Sequence, residues 1–219
     1  MFARIAQRYR LLNTCLSLGR DHVWRRRAAE LAAVSAGDKA LDVCCGTGDL
    51  TRMLAAAVGA SGLVVGVDFC EEMLELAQRS RGGSAPAWLN ADALSLPFQG
   101  EVFDCVTVAF GIRNTADPEA ALHEMTRVTR RGGRVVVLEF GLPRDGCRRR
   151  FVRWYEERLV PFLGGILSQR EAYEYLSRSI SAFVTPEEMR AMMGSAGLRN
   201  VASREMHLGS VYAHVGTKP

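Results

Sequence analysis

Lysine is almost missing from this chain: it stands only at Lys39 and Lys218, and arginine supplies the rest of the 28 basic residues. Against 24 acidic residues the formal net charge is +4. So small an excess does not argue for a nucleic-acid partner, and no Asn-Pro-Pro-Tyr type motif adds one. Cysteine is sparse and unpaired in pattern. Six residues, at 15, 44, 45, 70, 105 and 147, include no C-x-x-C spacing and no matched Cys and His sets, so no structural metal site is expected. Cys44, Cys45 and Cys105 lie in apolar runs and read as small buried hydrophobes in a reducing compartment rather than as half-cystines. The start, Met1-Phe2-Ala3-Arg4, has no apolar signal-peptide core, and no stretch approaches the ~20 apolar residues that span a bilayer. A cytoplasmic protein is expected, one that at most touches the inner face of a membrane. Long linkers, repeats and low-complexity segments are also missing. With 219 residues and 48% hydrophobic composition, the chain reads as one globular domain.

What is present is an alternation of strand-like and helix-like segments. Residues 2–34 read as helical, with Arg25-Arg26-Arg27 as a solvated face. Strands are expected over 39–45, 63–68, 87–90, 103–110 and 134–140, and helices over 49–58, 71–81 and 118–129. Pro118 suits a first helical turn, and Arg131-Gly132-Gly133 reads as a helix stop. After Phe140 the rhythm breaks. Long helices are expected over 145–162 and 170–181, then a short one over 186–196 with Thr185 as N-cap. The runs 200–208 and 211–217 can close the sheet as a hairpin around Gly209-Ser210. The expectation is an α/β fold with about seven strands, the last antiparallel, divided into four parts. These are an N-terminal helical segment (1–36), a cofactor-binding core (37–140), a lid insertion (141–197) and closing strands (198–217).

The most informative stretch is LDVCCGTGDL, Leu41 to Leu50. An apolar strand runs into Gly46-Thr47-Gly48 and a helix opens near Asp49, the arrangement that lets a ligand approach the main chain. Asp68 ends the second strand, where a carboxylate can accept ribose hydroxyls. Phe69 follows it, and Asp92-Ala93 follows the third strand, where Asp92 can accept from an adenine amine. Ala109, at the end of the fourth strand, can offer backbone atoms to an amino-acid moiety. A dinucleotide would need a third glycine where Thr51 stands, and Asp42 and Asp49 would repel its pyrophosphate. S-adenosylmethionine, with its sulfonium and ammonium, fits this acidic loop better. The cofactor set is therefore Asp42, Gly46, Thr47, Gly48, Asp68, Phe69, Asp92, Ala93 and Ala109; the bland alternative is a strand-turn-helix packed by its glycines.

Further segments carry a specific resemblance. They are FARIAQRYRLLN with LSLG and Trp24-Arg25; LDVCCGTGDL; Leu96 to Phe98; FGIRN, Phe110 to Asn114; GGRVVVLEF, Gly132 to Phe140; and YEYLSRSISAF, Tyr173 to Phe183. Over nearly its whole length the chain resembles the ubiquinone/menaquinone biosynthesis C-methyltransferases. The glycine loop marks only the superfamily; FGIRN and the lid segment point to the quinone subgroup. The chain departs from the family's pattern at Tyr9-Arg10 (usually Tyr-Asp), Gly141-Leu142-Pro143 (usually Ser-x-Pro) and Phe183-Val184 (usually Phe-Pro), all on the acceptor side.

The resemblance implies a single-domain class I S-adenosylmethionine-dependent methyltransferase with a Rossmann-like sheet. Its acceptor would be a polyprenylated quinol precursor, methylated on a ring carbon, with S-adenosylhomocysteine as product. No metal is needed, because the sulfonium is already activated. Arg113 is the candidate for stabilising a phenolate or polarising a water that takes its proton, with a surface ion pair or a helix-entry contact as its alternative. Tyr9 can line the acceptor pocket, and His22 is a candidate general base or a structural histidine. Asn114, Glu139 and Tyr173 are candidate substrate contacts. The segment Cys147 to Leu167 mixes arginines with Phe151, Trp154, Tyr155 and Phe162; it can meet anionic headgroups or pack on the sheet. Competing functions are a secondary-metabolism methyltransferase with a soluble aromatic acceptor, a non-catalytic partner or chaperone that kept the fold, and a nucleic-acid methyltransferase. The sequence leaves the oligomeric state open, a homodimer included.

Overall fold

The computed structural model describes residues 17, 19–79, 86–141, 146, 184–207 and 209–219. Its strands are β1 (Lys39–Val43), β2 (Leu63–Asp68), β3 (Ala87–Asn90), β4 (Phe103–Ala109), β5 (Thr129–Phe140), β6 (Arg199–Glu205) and β7 (Val211–Thr217). They form one seven-stranded sheet in the order β3-β2-β1-β4-β5-β7-β6. β7 runs antiparallel to both its neighbours, and the pairs from β3 to β5 are all parallel. The described helices are α1 (Asp21–Ala32), α2 (Asp49–Val58), α3 (Glu71–Arg79), α4 (Pro118–Val128) and α5 (Pro186–Ser195).

Side-chain alternation explains the layers. Leu41 and Val43 of β1, Val65 and Val67 of β2, and Val135 and Val137 of β5 join one core with Leu122 and Met125 of α4. Their neighbours Ala40, Val64, Val136 and Leu138 join the opposite core with Trp24 and Ala28 of α1 and Leu50 and Leu54 of α2. Both faces of the sheet are covered, which is why its strands read as continuous apolar runs. β1 has β2 on one side and β4 on the other. Successive crossovers therefore leave β1 in opposite directions, opening a crevice at the carboxyl ends of β1 and β4.

Helix starts follow the local signals. The Asp117 side chain accepts from the Ala120 N–H, with Pro118 in the first turn of α4. Thr185 and Glu188 form a reciprocal capping box at α5. Three departures from the sequence expectation bear on the packing. α4 ends at Val128, where the Thr129 hydroxyl donates to the Met125 carbonyl at 2.7 Å. Arg131-Gly132-Gly133 then lies inside β5 as an irregularity, the register slipping between Phe103↔Thr129 and Cys105↔Arg134. Gly132 takes φ +75°, and a Cβ on Gly133 would stand 2.8 Å from the Asp104 carbonyl, so the pair serves a bulge and not a helix stop. α5 buries Met189 and Met193 in the core, so this part of the segment assigned to the lid belongs to the sheet packing. The helices expected over 145–162 and 170–181 lie outside the described residues, Gly146 apart. No helix among the described residues is long and apolar enough to cross a membrane.

Candidate active site

A cavity of about 350 Å³ opens at the carboxyl ends of β1, β2 and β4. Its floor is the loop after β1. Cys44 (φ +52°), Gly46 (φ +55°) and Gly48 (φ +78°) take left-handed conformations and turn the chain back into α2. The Arg52 guanidinium pins this loop, donating to the Thr47 carbonyl at 2.7 Å and to Asp49 Oδ1 at 3.1 Å. A Cβ on Gly48 would stand 2.2 Å from the Trp88 ring, beyond the loop on β3. Gly48→Ala should therefore lower the unfolding free energy by about 1–3 kcal/mol, combining a left-handed φ with a clash. A urea titration checks it; an unchanged midpoint would mean that the indole yields without cost.

Asp42 lies beneath the loop, 1% exposed. Its Oδ2 accepts from the Thr51 hydroxyl at 2.6 Å and its Oδ1 from the Thr107 hydroxyl at 2.8 Å. Thr51 thus replaces the helix-packing glycine of a dinucleotide loop with a donor to the buried carboxylate, a role that spacing alone did not reveal. Burial pushes the Asp42 carboxyl up to about 6, opposed by the two hydroxyls and by the charge of Arg25. A raised carboxyl favours folding while protonated, and that advantage is lost as pH rises from about 4 through about 6. Stability of the wild type relative to Asp42→Asn should fall by about 2–3 kcal/mol between pH 4 and pH 7. Parallel denaturant titrations at the two pH values test this, and parallel behaviour of the two proteins would contradict it.

Asp68, at the end of β2, is held from both sides. Its Oδ2 accepts from the Gly46 N–H at 2.7 Å and its Oδ1 from the Cys70 N–H at 2.9 Å. Burial raises this carboxyl too, against the backbone N–H groups of Cys70, Gly46 and Phe69. The Asn90 amide donates to the carbonyls of Asp68 and Phe69 and fixes the turn that carries them. Phe69 is 78% exposed at the cavity rim. Asp92 accepts from the Leu94 N–H at 2.9 Å, and both Asp92 and the buried Ala93 line the cavity. Ala109 lines it from β4, followed by Phe110 in a left-handed conformation (φ +59°). Two non-glycine left-handed residues, Cys44 and Phe110, thus stand at adjacent strand ends on the cavity wall. A Cβ on Gly111 would meet the Cys44 Cβ at 2.4 Å, so the two loops pack with no room between them.

The sequence candidates thus divide. Asp42, Gly46, Thr47, Asp68, Phe69, Asp92, Ala93, Ala109 and Asn114 line the cavity together. Gly48 shapes the loop without lining it. Arg113 and Glu139 come together away from the cavity wall: Arg113 Nη1 donates to Glu139 Oε1 and to the Phe110 carbonyl, both at 2.7 Å. Their side chains are 5% and 1% exposed, so this is a buried pair and not a surface one. His22 lies on the exposed side of α1, off the cavity lining, because helical spacing turns Asp21, Trp24, Arg25 and Ala28 inward instead. The same spacing corrects the reading of Arg25-Arg26-Arg27 as a solvated face: Arg25 is 7% exposed and lines the cavity, while Arg26 and Arg27 face solvent. Tyr9, Tyr173 and the segment 147–167 lie outside the described residues.

The sequence matches the ubiE/COQ5 methyltransferase family over residues 1–218. The chain belongs to that family. Among its relatives, the demethylmenaquinone methyltransferase of Thermus thermophilus is 48% identical over the full length of both chains. The ubiquinone/menaquinone biosynthesis C-methyltransferase of Geobacter sulfurreducens is 41% identical, covering all of this chain and 87% of the relative. The 2-phytyl-1,4-naphtoquinone methyltransferase of Thermosynechococcus vestitus is 41% identical over 92% and 90%. In fold, the ubiE/COQ5 chain is similar to a methyltransferase from Thermotoga maritima, titled a possible histamine N-methyltransferase (TM-score 0.70, 20% identity, 100% and 98% covered). It is also similar to an S-adenosylmethionine-dependent methyltransferase from Aquifex aeolicus (TM-score 0.63, 18% identity, 89% of each chain). This ubiE/COQ5 member is thus an enzyme of the methyltransferase class, with the family's α/β fold.

Proposed function

We propose that this enzyme uses S-adenosylmethionine to methylate a ring carbon of a polyprenylated quinol precursor, converting demethylmenaquinol to menaquinol or acting on the ubiquinol equivalent. The observation that carries the cofactor reading is the charge of the cavity wall: Asp42, Asp49, Asp68 and Asp92 line it, with a loop too tightly packed for side chains at Gly48 and Gly111. A carboxylate-rich wall suits a ligand bearing a sulfonium and an ammonium and disfavours a pyrophosphate. The acceptor reading rests on full-length similarity to enzymes named for quinone methylation.

When bound, the cofactor supplies an activated methyl group, so no metal or covalent enzyme intermediate is required. The chain's own residues then bind and orient. Asp68, already accepting from the Gly46 and Cys70 N–H groups, would offer its remaining acceptor capacity to ribose hydroxyls. Asp92, the buried Ala93 and Phe69 at the rim would hold the adenine. Asn114 lines the cavity from the 3₁₀ turn Ile112–Asn114, where it would help to position the acceptor.

A phenol with pKa near 10 is ionised only about one part in a thousand at pH 7, a cost of about 4 kcal/mol. The turn held by Arg113 and Glu139 is the element that places polar groups to lower that cost. In this reading Tyr9 and Tyr173 would contact the acceptor, and the arginine-rich segment 147–167 would meet the bilayer in which a polyprenyl tail resides. The test is incubation of purified enzyme with methyl-labelled cofactor and either demethylmenaquinol, a demethoxyquinol or a tailless aromatic acceptor. Label on the ring carbon of a tailed quinol is the expected result. Label on the tailless acceptor alone would overturn the reading in favour of a soluble substrate.

A further inference from the structure

Arg25 is a buried cation whose Nη1 has no hydrogen-bond acceptor among the described residues. Its side chain comes up from α1 against the cavity wall, 7% exposed. Its guanidinium lies over the Phe110 ring, 5.1 Å from the centroid, and Trp24 packs on the same ring at 6.2 Å. Arg25 Nη1 is buried, and its guanidinium interacts with the Phe110 ring and, through its charge, with Asp42. Arginine cannot escape such a position by deprotonating, and the ring face offsets only part of the lost hydration. Asp42 feels this charge, but its oxygens accept from Thr51 and Thr107, so among the described residues the guanidinium lacks a hydrogen-bonded anion. Among the described residues that line the cavity it is the one Lys or Arg.

Its place in the sheet says which anion. Asp68 and Asp92 follow β2 and β3, on one side of β1, whereas Phe110, under Arg25, follows β4 on the other side. A ligand with its nucleoside at the β2–β3 end reaches the β4 end with its amino-acid tail. We infer that Arg25 binds the α-carboxylate of the cofactor's methionine moiety, the one anionic group of that ligand, with a charge-assisted and directional contact. This rests on the S-adenosylmethionine reading above. It adds a specificity for the amino-acid tail that the acidic wall cannot provide, since carboxylates alone would prefer the ligand without its carboxylate.

Calorimetric titration of wild type, Arg25→Gln and Arg25→Lys with S-adenosylmethionine and with its decarboxylated form tests this. Arg25→Gln should weaken S-adenosylmethionine binding roughly 10- to 100-fold. Affinity for the decarboxylated form should stay the same or rise, because a repelling charge has gone. Arg25→Lys should fall between, keeping the charge and losing the planar fork. Binding of the decarboxylated form by Arg25→Gln also reports that the variant is folded. An equal loss for both ligands would reduce Arg25 to a packing residue and overturn the inference. Unchanged affinity for both, with turnover lost, would assign the guanidinium to the acceptor's oxygen instead and overturn it as well. A wild type that binds neither ligand would overturn the cofactor reading itself, a result distinct from either.

Discussion

Glu139→Ala should destabilise the protein by about 3–5 kcal/mol, the range for removing one partner of a buried ion pair. The pair is 5% and 1% exposed, so its two charges are held out of water. The Phe110 carbonyl would remain on Nη1, and the Phe140 ring would still lie 5.2 Å from the guanidinium carbon. Neither replaces a carboxylate in a dry site. Burial pushes the Glu139 carboxyl up, and the Arg113 charge and the Phe140 N–H oppose that shift. Glu139 Oε2 has no hydrogen-bond partner among the described residues, so the pair is already imperfectly satisfied. An apolar double variant, Arg113→Met with Glu139→Leu, should therefore recover most of the lost stability while turnover stays low. Urea unfolding of the single and double variants, beside labelled-methyl turnover, separates the two effects. If Glu139→Ala unfolds at the wild-type midpoint, the pair does not hold the turn after β4. Arg113→Lys adds a second reading: turnover should fall while cofactor affinity stays near wild type, because the charge survives and the fork does not.

The Arg113–Glu139 pair also shows where sequence reading stops. Both residues stood out as candidates, each at a strand end, but nothing in the sequence said that they meet. They are joined because β4 pairs with β5 in the register Ala109↔Leu138, which brings the two strand ends side by side. Periodicity places a residue on its own element and is silent about which end of a neighbouring element it faces. Residues answering to one local strand-loop-helix unit were legible for the converse reason. Gly46, Thr47 and Gly48 follow directly from β1, and Asp68 reaches the same loop because β2 is the adjacent strand. Arg25 was legible in principle: Asp21, Trp24, Arg25 and Ala28 form a stripe at helical spacing. The run of three arginines obscured it, because charge was weighed over the run and not by face. The bulge at Gly132-Gly133 was hidden differently. Glycines that end a helix and glycines that permit a strand irregularity look the same until the Lys218 carbonyl is found accepting from the Gly132 N–H.

Asp68→Ala should lower cofactor affinity about a hundredfold, the largest effect expected of any single change at the cavity. Two contributions add. The ribose loses a charge-assisted acceptor, and the loop loses the carboxylate that ties the Gly46 N–H to the Cys70 N–H across the cavity mouth. Asp68→Asn divides them. Its amide oxygen can still accept one of the backbone donors, so the loop stays partly tied while the negative charge is gone. A loss of about tenfold is expected there, since a neutral acceptor is roughly half as strong as a charged one. Because burial raises the Asp68 carboxyl, wild-type affinity should also weaken on acidification through that raised value, where the neutral acid no longer accepts well from ribose. Asp68→Asn should not show that weakening, apart from the contribution of Asp42. Titration calorimetry of the three proteins at two pH values supplies every comparison. Hundredfold weaker binding by both variants would mean that charge alone matters and the tie to the loop does not. Wild-type affinity in Asp68→Ala would remove this residue from the cofactor site.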